Sequence, residues 1–328
     1  MKTMFILIKR NIKMFFKDKG ALFGSFISPA ILLVLYITFL GSVYKDGISA
    51  AMEDTFGSLV TLSDKVINGF VAGQLVSSLI AVTCVTVAFS TNFLMVQDKA
   101  NRTISDFNAS PVKNHVISLS YYIASFVASL MVCFVTAIAC LIYVVAVGWY
   151  LTAVDVVLLF VDVIILVFFG TALSSVINFF LTTQGQLAAV NMIVGVCYGF
   201  LCGAYMPMSE FGEGLQKALS FLPGTYATSL VRNHAMNGTI EAMADEVSAV
   251  VGDKMTDGFI TVLRDAFDCN LYFFGDKVEV PIMYAIILVT IVVLVGVFVL
   301  LSYLKSKNPN FGVIQKKPKK SKEVAETK

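Results

Sequence analysis

Hydrophobic and polar positions divide this chain into six long apolar runs, separated by polar segments. A helix that crosses the ~30 Å hydrocarbon core of a bilayer needs about 20 mostly apolar residues. The apolar positions are continuous rather than alternating, which predicts helices and not the strands of a barrel. The predicted spans are residues 21–43, 71–96, 118–147, 153–181, 187–206 and 282–304.

The chain begins with a basic amphipathic segment, residues 1–20. Lys9, Lys13 and Lys17 repeat every four residues, and an apolar face begins at Met4. This spacing is that of a helix. A basic helix of this kind lies in the plane of the membrane surface. The alternative is a charged flank that only orients the first span.

The longest polar segment separates the fifth span from the sixth. Within it, residues 240–251 and 256–267 show the periodicity of short amphipathic helices, which predicts a small helical insertion outside the bilayer. The C-terminal tail is Lys-rich and has no apolar period, so we expect it to be disordered and close to anionic lipid.

The predicted fold is therefore an all-α integral membrane protein. It comprises an interface helix, spans one to five, an extracytoplasmic insertion, a sixth span and a basic tail, at residues 1–20, 21–206, 207–281, 282–304 and 305–328.

Charge sets the predicted orientation. Only 14% of the residues are charged, and they gather outside the apolar runs. With both termini in the cytoplasm, the cytoplasmic segments hold 17 of the 24 Lys and Arg residues and five acids. The outside segments hold seven Lys and Arg residues and fifteen acids. Because Lys and Arg concentrate on the cytoplasmic side of membranes, this orientation is favoured.

The sequence contains no local motif for nucleotide hydrolysis, metal binding or nucleophilic catalysis. No G-x-x-x-x-G-K-[ST] string occurs. The two histidines, His115 and His234, fall on opposite sides of the predicted membrane, and no His/Cys cluster has metal-ligand spacing. We predict a non-enzymatic membrane subunit without a catalytic, cofactor or metal site. The alternative is a membrane enzyme whose active-site residues come from different spans.

The fifth span carries Gly195, Gly199 and Gly203 at a spacing of four. Glycines on one helix face let two helices approach closely. We predict a packing seam, either between two subunits or between spans of the same chain.

Two spans carry polar residues that are candidates for a pathway. Thr83, Thr86 and Ser90 in the second span either line a translocation path or bond to carbonyls of their own helix. In the fourth span, Asp155 is near the outer boundary and Asp162 lies deeper. A buried carboxylate there either serves ion-linked transport or is a structural acid facing other helices.

Between Ser209 and Pro223, apolar residues that include Phe211 predict a short helix that dips back into the outer leaflet. Such re-entrant backbone is tolerated only where protein covers it.

Three segments resemble the membrane subunit of type-2 ATP-binding-cassette (ABC-2) exporters. The first is the basic helix that runs into a span with an early proline, residues 13–29. The second is the segment 98–111, DKANRTISDFNASP, in which Arg102 stands where the family commonly has Gly. The third runs from residue 203 to 232, with Pro207 and Pro223 at the family's places.

The resemblance implies a second permease subunit, identical or related, and two cytosolic ATPase subunits that bind ATP and magnesium. It also implies that residues 98–111 form a coupling helix that docks into the ATPase. The docking residues would be Asp98, Arg102, Ile104, Phe107 and Pro111. The alternative is an ordinary polar connector. The re-entrant segment would close the outer end of the pathway.

From this resemblance we expect an exporter permease in a bacterial cytoplasmic membrane, with lipid but no nucleic acid as a further partner. The expected substrate is amphipathic, such as a drug, antibiotic, peptide or lipid-linked compound. One alternative is a secondary transporter that uses Asp162. Another is a membrane sensor or assembly factor that binds a ligand through the outer insertion.

Overall fold

The computed structural model describes residues 2–101, 103, 112 and 114–308, and most of these residues are helical. The helices are α1 (Lys2–Lys17), α2 (Lys19–Ser25), α3 (Ile27–Leu35), α4 (Gly41–Phe56), α5 (Asp64–Thr91), α6 (Phe93–Ala100), α7 (Asn114–Val147), α8 (Ala153–Phe180), α9 (Gln184–Leu201), α10 (Glu213–Leu219), α11 (Pro223–Val251), α12 (Asp253–Ala266) and α13 (Val280–Lys307). Two strands, β1 (Leu271–Phe273) and β2 (Asp276–Val278), precede α13.

Within the described residues, six helical stretches are long and apolar enough to cross a membrane. They are Lys19–Glu53, Asp64–Ala100, His115–Val147, Ala153–Phe180, Gln184–Leu201 and Val280–Lys307. The predicted all-α membrane fold with six spans is therefore confirmed. We call the side of the bundle that carries α1 and the end of α13 the termini side, and the opposite side the far side.

Helix α5, in the second span, forms the centre of the bundle. Nearly every side chain from Val66 to Phe89 is buried, and α7, α8 and α11 surround the helix. Small residues make this crowding possible. At Gly73, a Cβ atom would lie 2.9 Å from the carbonyl oxygen of Ala235 on α11. A side chain at this position would force the two helices apart.

The predicted amphipathic helix forms as α1 and ends at Lys17. Asn11 and Phe15 are buried on the side that meets the bundle, whereas Phe5 and Ile6 remain exposed. The helix therefore has one apolar surface against protein and another that faces outward.

The first span is longer than predicted, since the helical stretch continues to Glu53. At 1.5 Å per residue its 35 residues reach about 52 Å, well beyond the hydrocarbon core. Residues 44–56 were expected to be a polar connector, and this expectation is wrong. Helix α4 buries Ile48, Met52 and Phe56, and the Phe56 ring lies 5.4 Å from that of Phe259 on α12.

A wide π-helical turn, Tyr36–Leu40, interrupts the first span between α3 and α4. Gly41 follows this turn, and a Cβ atom there would lie 2.9 Å from the carbonyl oxygen of Tyr36. Single π-turns of this kind are frequent at functional sites.

The insertion between the fifth and sixth spans differs from the prediction. The expected short helix at 240–251 is the second half of the 29-residue helix α11. Its first half, from Gly224 to Ile240, is largely buried against α5, α8 and α13. Hydropathy missed this part because its core contacts are made by small and polar residues such as Thr225, Thr228 and Ser229. Helix α12 confirms the second predicted helix.

A two-stranded antiparallel hairpin follows α12, where only helix was expected. Leu271 pairs with Val278, Tyr272 with Lys277, and Phe273 with Asp276. Phe274 and Gly275 at the turn both have positive φ angles. The strands are only three residues long, which explains why no clear alternation appears in the sequence.

Candidate functional site

A large groove lies between the first and fifth spans, with a volume of about 1110 Å³. It follows the first span from Gly24 to Ala51, about 40 Å at helical rise. Its walls are mostly apolar side chains of α3, α4 and α9, and its far end is closed by the segment from Ala204 to Glu210. Drug-sized ligands occupy sites of ≈ 300–1,000 Å³. The groove therefore has room for a ligand of that size.

A smaller polar cavity of about 380 Å³ adjoins the groove toward the termini side. Gly24, Asn191 and Gly195 line both cavities, so the two spaces share a wall. The side-chain amide oxygen (Oδ1) of Asn191 is buried and has no hydrogen-bond partner among the described residues. It therefore offers a free acceptor where the two cavities meet.

The charged groups lining these cavities are all acids. Glu210 lies at the far end of the groove and Asp18 in the polar cavity, and the described lining residues include no Lys or Arg. The Asp18 carboxylate also caps α2 by accepting a hydrogen bond from the amide of Ala21 at 3.0 Å. The two cavities are therefore lined by apolar groups along most of their length and by an acid near each end.

Two of the three hydroxyl residues proposed for a pathway line the polar cavity. Thr86 and Ser90 both do so, and they also donate to the carbonyls of Val82 and Thr86 at 3.0 and 3.1 Å. The bonds to carbonyls of their own helix are therefore confirmed, while a role in a translocation path stays a prediction. Thr83 is buried and lines neither cavity.

The three glycines of the fifth span do not form one helix face. Helix α9 ends at Leu201, and Gly203 has a φ angle of 72°. The amide of Ala204 donates to the carbonyl of Gly199 at 2.8 Å, and that of Gly203 to Phe200 at 3.3 Å. These bonds form a Schellman motif, in which a left-handed glycine ends the helix.

Tyr205 folds back over this face of α9, so the predicted seam is wrong at its C-terminal end. A Cβ atom at Gly199 would lie 2.4 Å from the Tyr205 ring, and the Tyr205 hydroxyl donates to the Gly195 carbonyl at 3.2 Å. Gly195 lines both cavities.

The fourth-span acids have separate roles in the structure. Asp155 forms a capping box with Thr152 at the start of α8. Asp162 is fully buried, accepts a hydrogen bond from the Tyr284 hydroxyl at 2.6 Å, and lies 2.6 Å from Nδ1 of His234. It lines neither cavity. Its surroundings are those of a hydrogen-bonded acid between α8, α11 and α13.

Asp98, expected to flank an exposed docking surface, is instead buried inside the chain. It accepts hydrogen bonds from Arg10 at 2.6 Å and from the Tyr121 hydroxyl at 2.5 Å. The Asp98 side chain is 5% exposed. Its assignment as a docking contact is therefore wrong, because the carboxylate is occupied by α1 and α7. The other predicted docking residues, Arg102, Ile104, Phe107 and Pro111, lie outside the described residues.

The neighbouring Lys99 ties the same end of α6 to the fourth span. Its ammonium group donates to the carbonyls of Asn178 and Phe179 at 2.8 and 2.9 Å. These carbonyls belong to the last turn of α8, where a positive charge is favourable. The start of the segment 98–111 is therefore fastened to α1, α7 and α8, a connection that sequence spacing did not indicate.

At the far side, the segment from Ala204 to Glu210 lines the end of the groove, and the re-entrant course of residues 209–223 stays a prediction. Pro207 lines the groove, Phe211 packs partly buried against the core, and Pro223 begins α11. Helix α10 lies between them.

A buried ion pair holds this far-side segment. Arg232 donates to the Asp268 carboxylate at 2.9 Å and to the carbonyl of Gly203. Asp268 also accepts from the amide of Met208 at 2.7 Å. Burial raises the pKa of Asp268, although the Arg232 charge and the hydrogen bond from Met208 act in the opposite direction. No spacing in the sequence indicated this contact, because Arg232 and Asp268 lie 36 residues apart.

Comparison with known proteins identifies a family for most of the chain. No curated protein matches it. The model of the ABC-2 type transporter family matches residues 2–235, which is more than half of the 328 residues. That range includes the first five spans, the polar cavity and the Arg10–Asp98 contact, whereas part of the groove lining, such as Phe259 and Phe267, lies beyond it. The chain is a multi-pass membrane protein that belongs to the ABC-2 type transporter family.

Proposed function

We propose that the chain is the permease subunit of an exporter and that the groove between its first and fifth spans forms half of a translocation pathway. The observation that carries the proposal is the position of the apolar groove directly beside the polar cavity, with shared lining residues, toward the termini side. Together they run along most of the first span. A ligand bound there would contact apolar walls along its length and polar groups near each end.

The substrate that this surface fits is an amphipathic molecule that is neutral or positively charged. Its apolar part would lie against the walls of the groove. Its donor groups would meet the free Asn191 oxygen and the acids Asp18 and Glu210. An anionic substrate would meet repulsion at both acids, because no Lys or Arg is among the described lining residues.

A second permease subunit would complete the pathway. The groove is open along one side, and nearby side chains such as Phe39, Met192 and Ile193 are more than half exposed. Only 17% of the residues of the fifth span, Gln184–Leu201, are buried inside the chain. Two such grooves facing each other would enclose a shared passage, whereas one alone is open to lipid.

The power source would be a separate cytosolic ABC ATPase that binds ATP and magnesium, as membership of the family implies. Residues 98–111 would receive its motion. The Asp98 carboxylate and the Lys99 ammonium would pass that motion to α1, α7 and α8 through the contacts described above. Rigid-body rearrangement of packed helices is a common route for such coupling.

The charge distribution supports a bacterial cytoplasmic membrane with both termini in the cytoplasm, since the Lys and Arg residues concentrate in the segments of the termini side. An ion-driven carrier is less favoured, because Asp162 is outside both cavities and is bound to His234 and Tyr284.

The groove is tested by filling it. In inverted membrane vesicles that contain the chain and its ATPase, ATP-driven uptake of a fluorescent lipophilic cation is measured. Gly195→Trp projects a large ring into both cavities and should lower the uptake rate several-fold. Val292→Trp is the matched control, because Val292 is 70% exposed on the outer face of the sixth span. Equal uptake by Gly195→Trp and the control, with the ATPase still bound, would rule out the groove as the pathway.

The docking segment is tested separately. Phe107→Asp should abolish both transport and co-purification of the ATPase while leaving membrane insertion intact, because a buried carboxylate at a protein interface is costly. Normal recovery of the complex from this variant would contradict the docking role.

A further inference from the structure

Three phenylalanines form an exposed aromatic cluster on the far side: Phe221, Phe273 and Phe274. Phe221 precedes α11, and the other two lie at the tip of the hairpin. Their ring centroids are 4.9 to 5.8 Å apart. Phe221 and Phe274 are 64% and 60% exposed. A contiguous exposed aromatic patch of this kind marks a surface that meets a partner or a membrane.

Two independent contacts place the cluster at the level of the bilayer boundary. Next to Phe221, Gly224 packs against the side chains of Tyr198 and Cys202. Tyr198 lies three residues before the end of the fifth span, about 5 Å inside it. On the other side of the cluster, strand β2 ends at Val278 and the sixth span begins at Val280.

At the hairpin tip, an aromatic residue occupies a position at which the backbone conformation favours Asn or Asp. Phe274 has a φ angle of 52° and Gly275 one of 100°. Two-residue hairpin turns with positive φ at both positions favour Asn-Gly or Asp-Gly. A bulky residue in the left-handed region is strained, and such strain often accompanies function.

We propose that the aromatic cluster inserts into the boundary between head groups and acyl chains of the far-side leaflet and anchors the insertion to the membrane surface. Amphipathic and aromatic surfaces at this depth bury apolar area in lipid. The sixth span, which begins soon after β2, also carries outward-facing apolar residues such as Ile282, which is 51% exposed. None of the three rings lines the groove at which a second subunit would sit. Lipid is therefore the occupant that the geometry favours.

The anchor has a mechanical consequence for the far side. Strand β1 begins three residues after Asp268, whose carboxylate accepts hydrogen bonds from the Met208 amide and from Arg232. A hairpin fixed in the leaflet would hold this ion pair at constant depth while the spans move. The inference does not depend on the ATPase or on the identity of the substrate.

The insertion depth is tested by tryptophan fluorescence in reconstituted vesicles. The chain has one tryptophan, Trp149, so Trp149→Phe gives a silent background. In that background, Phe274→Trp should emit at short wavelength and lose about half its emission in phosphatidylcholine/phosphatidylglycerol vesicles with brominated acyl chains. Acrylamide should quench it little.

Met255→Trp in the same background is the matched control. Met255 is 53% exposed near the start of α12. Helix α11 carries the chain about 40 Å away from Gly224 before α12 begins. We expect acrylamide to quench this residue and brominated lipid to leave it unchanged.

Other quenching patterns at Phe274→Trp would overturn the proposal. Quenching by acrylamide alone would place the hairpin in water. Protection from both quenchers would place it against protein, for example a second copy of the chain.

A second variant separates anchoring from turn stability. Phe274→Asn suits the turn better, so the folded hairpin should persist, but it removes the exposed ring. In vesicles, amide hydrogen exchange of residues 271–278 should become faster than in the unsubstituted chain, because the lipid contact is lost. Slower or equal exchange in vesicles would show that the ring serves no anchoring role.

Discussion

The far-side ion pair between Arg232 and Asp268 gives a prediction whose size can be worked out from the structure. Both side chains are almost fully buried, at 1% and 6% exposure. Among the described residues, Asp268→Ala would leave the buried Arg232 guanidinium with the Gly203 carbonyl as its one hydrogen-bond partner, and would free the amide of Met208. Removing one partner of a buried pair costs about 3–5 kcal/mol.

Replacing both partners should cost much less than replacing one. Burial raises the pKa of Asp268 in spite of the Arg232 charge, so desolvation of the carboxylate outweighs the attraction between the two groups. Well-packed apolar replacements of buried ion pairs are often neutral or stabilising. We therefore expect Arg232→Met/Asp268→Leu to be more stable than either Arg232→Met or Asp268→Leu alone.

The assay is a double-mutant cycle on the purified chain in detergent. The free energy of unfolding is measured by denaturant titration, with the loss of helix followed by circular dichroism. Limited proteolysis after Met208 reports local opening of the far-side segment. The reasoning fails if the free energy of unfolding of Asp268→Ala is within about 1 kcal/mol of that of the unsubstituted chain, which is the upper value for exposed ion pairs. It also fails if the two single substitutions simply add.

Three shorter predictions concern other contacts of the chain. Asp98→Asn weakens the contact to Arg10 and should lower transport more than it lowers ATPase binding. Transport assays and co-purification of the ATPase, run in parallel, separate the two effects. Equal losses of both would contradict a transmitting role for Asp98. Asp162→Asn should lower the free energy of unfolding by about 1–3 kcal/mol, as expected for a structural acid that loses strong hydrogen bonds. ATP-driven transport should persist. Abolished transport in a stably folded variant would favour ion coupling. Burial raises the pKa of Cys269 to about 11, so maleimide should label this thiol slowly at neutral pH and quickly after denaturation; fast labelling of the folded chain would contradict the far-side packing.

The spans were predictable because hydropathy over 20 residues records a property that each segment carries by itself. The helical extension of the first span was not, because Lys45 and Asp46 lower the local hydropathy although the opposite face is apolar. The first half of α11 was missed for a related reason, since Thr225 and Arg232 are buried by neighbours rather than by their own hydrophobicity.

The candidate site was only partly predictable for physical reasons. Thr86 and Ser90 were identified because hydroxyls are unusual in an apolar run. The glycine spacing misled at Gly203, because a spacing of four has meaning only while the helix continues. The contact between Arg10 and Asp98 joins residues 88 positions apart and depends on how α1 meets the bundle, which no local pattern encodes.

The π-turn at Tyr36–Leu40 determines which stripe of the first span reaches the far-side insertion. Tyr36 and Ile48 are both buried, although twelve residues separate them. In an uninterrupted α-helix, with about 100° per residue, their directions would differ by about 120°. The extra residue in the wide turn reduces this difference to about 20°. Deleting one residue there would rotate Met52 and Phe56 away from α12, so the length of this turn is as constrained as the identity of any side chain near it.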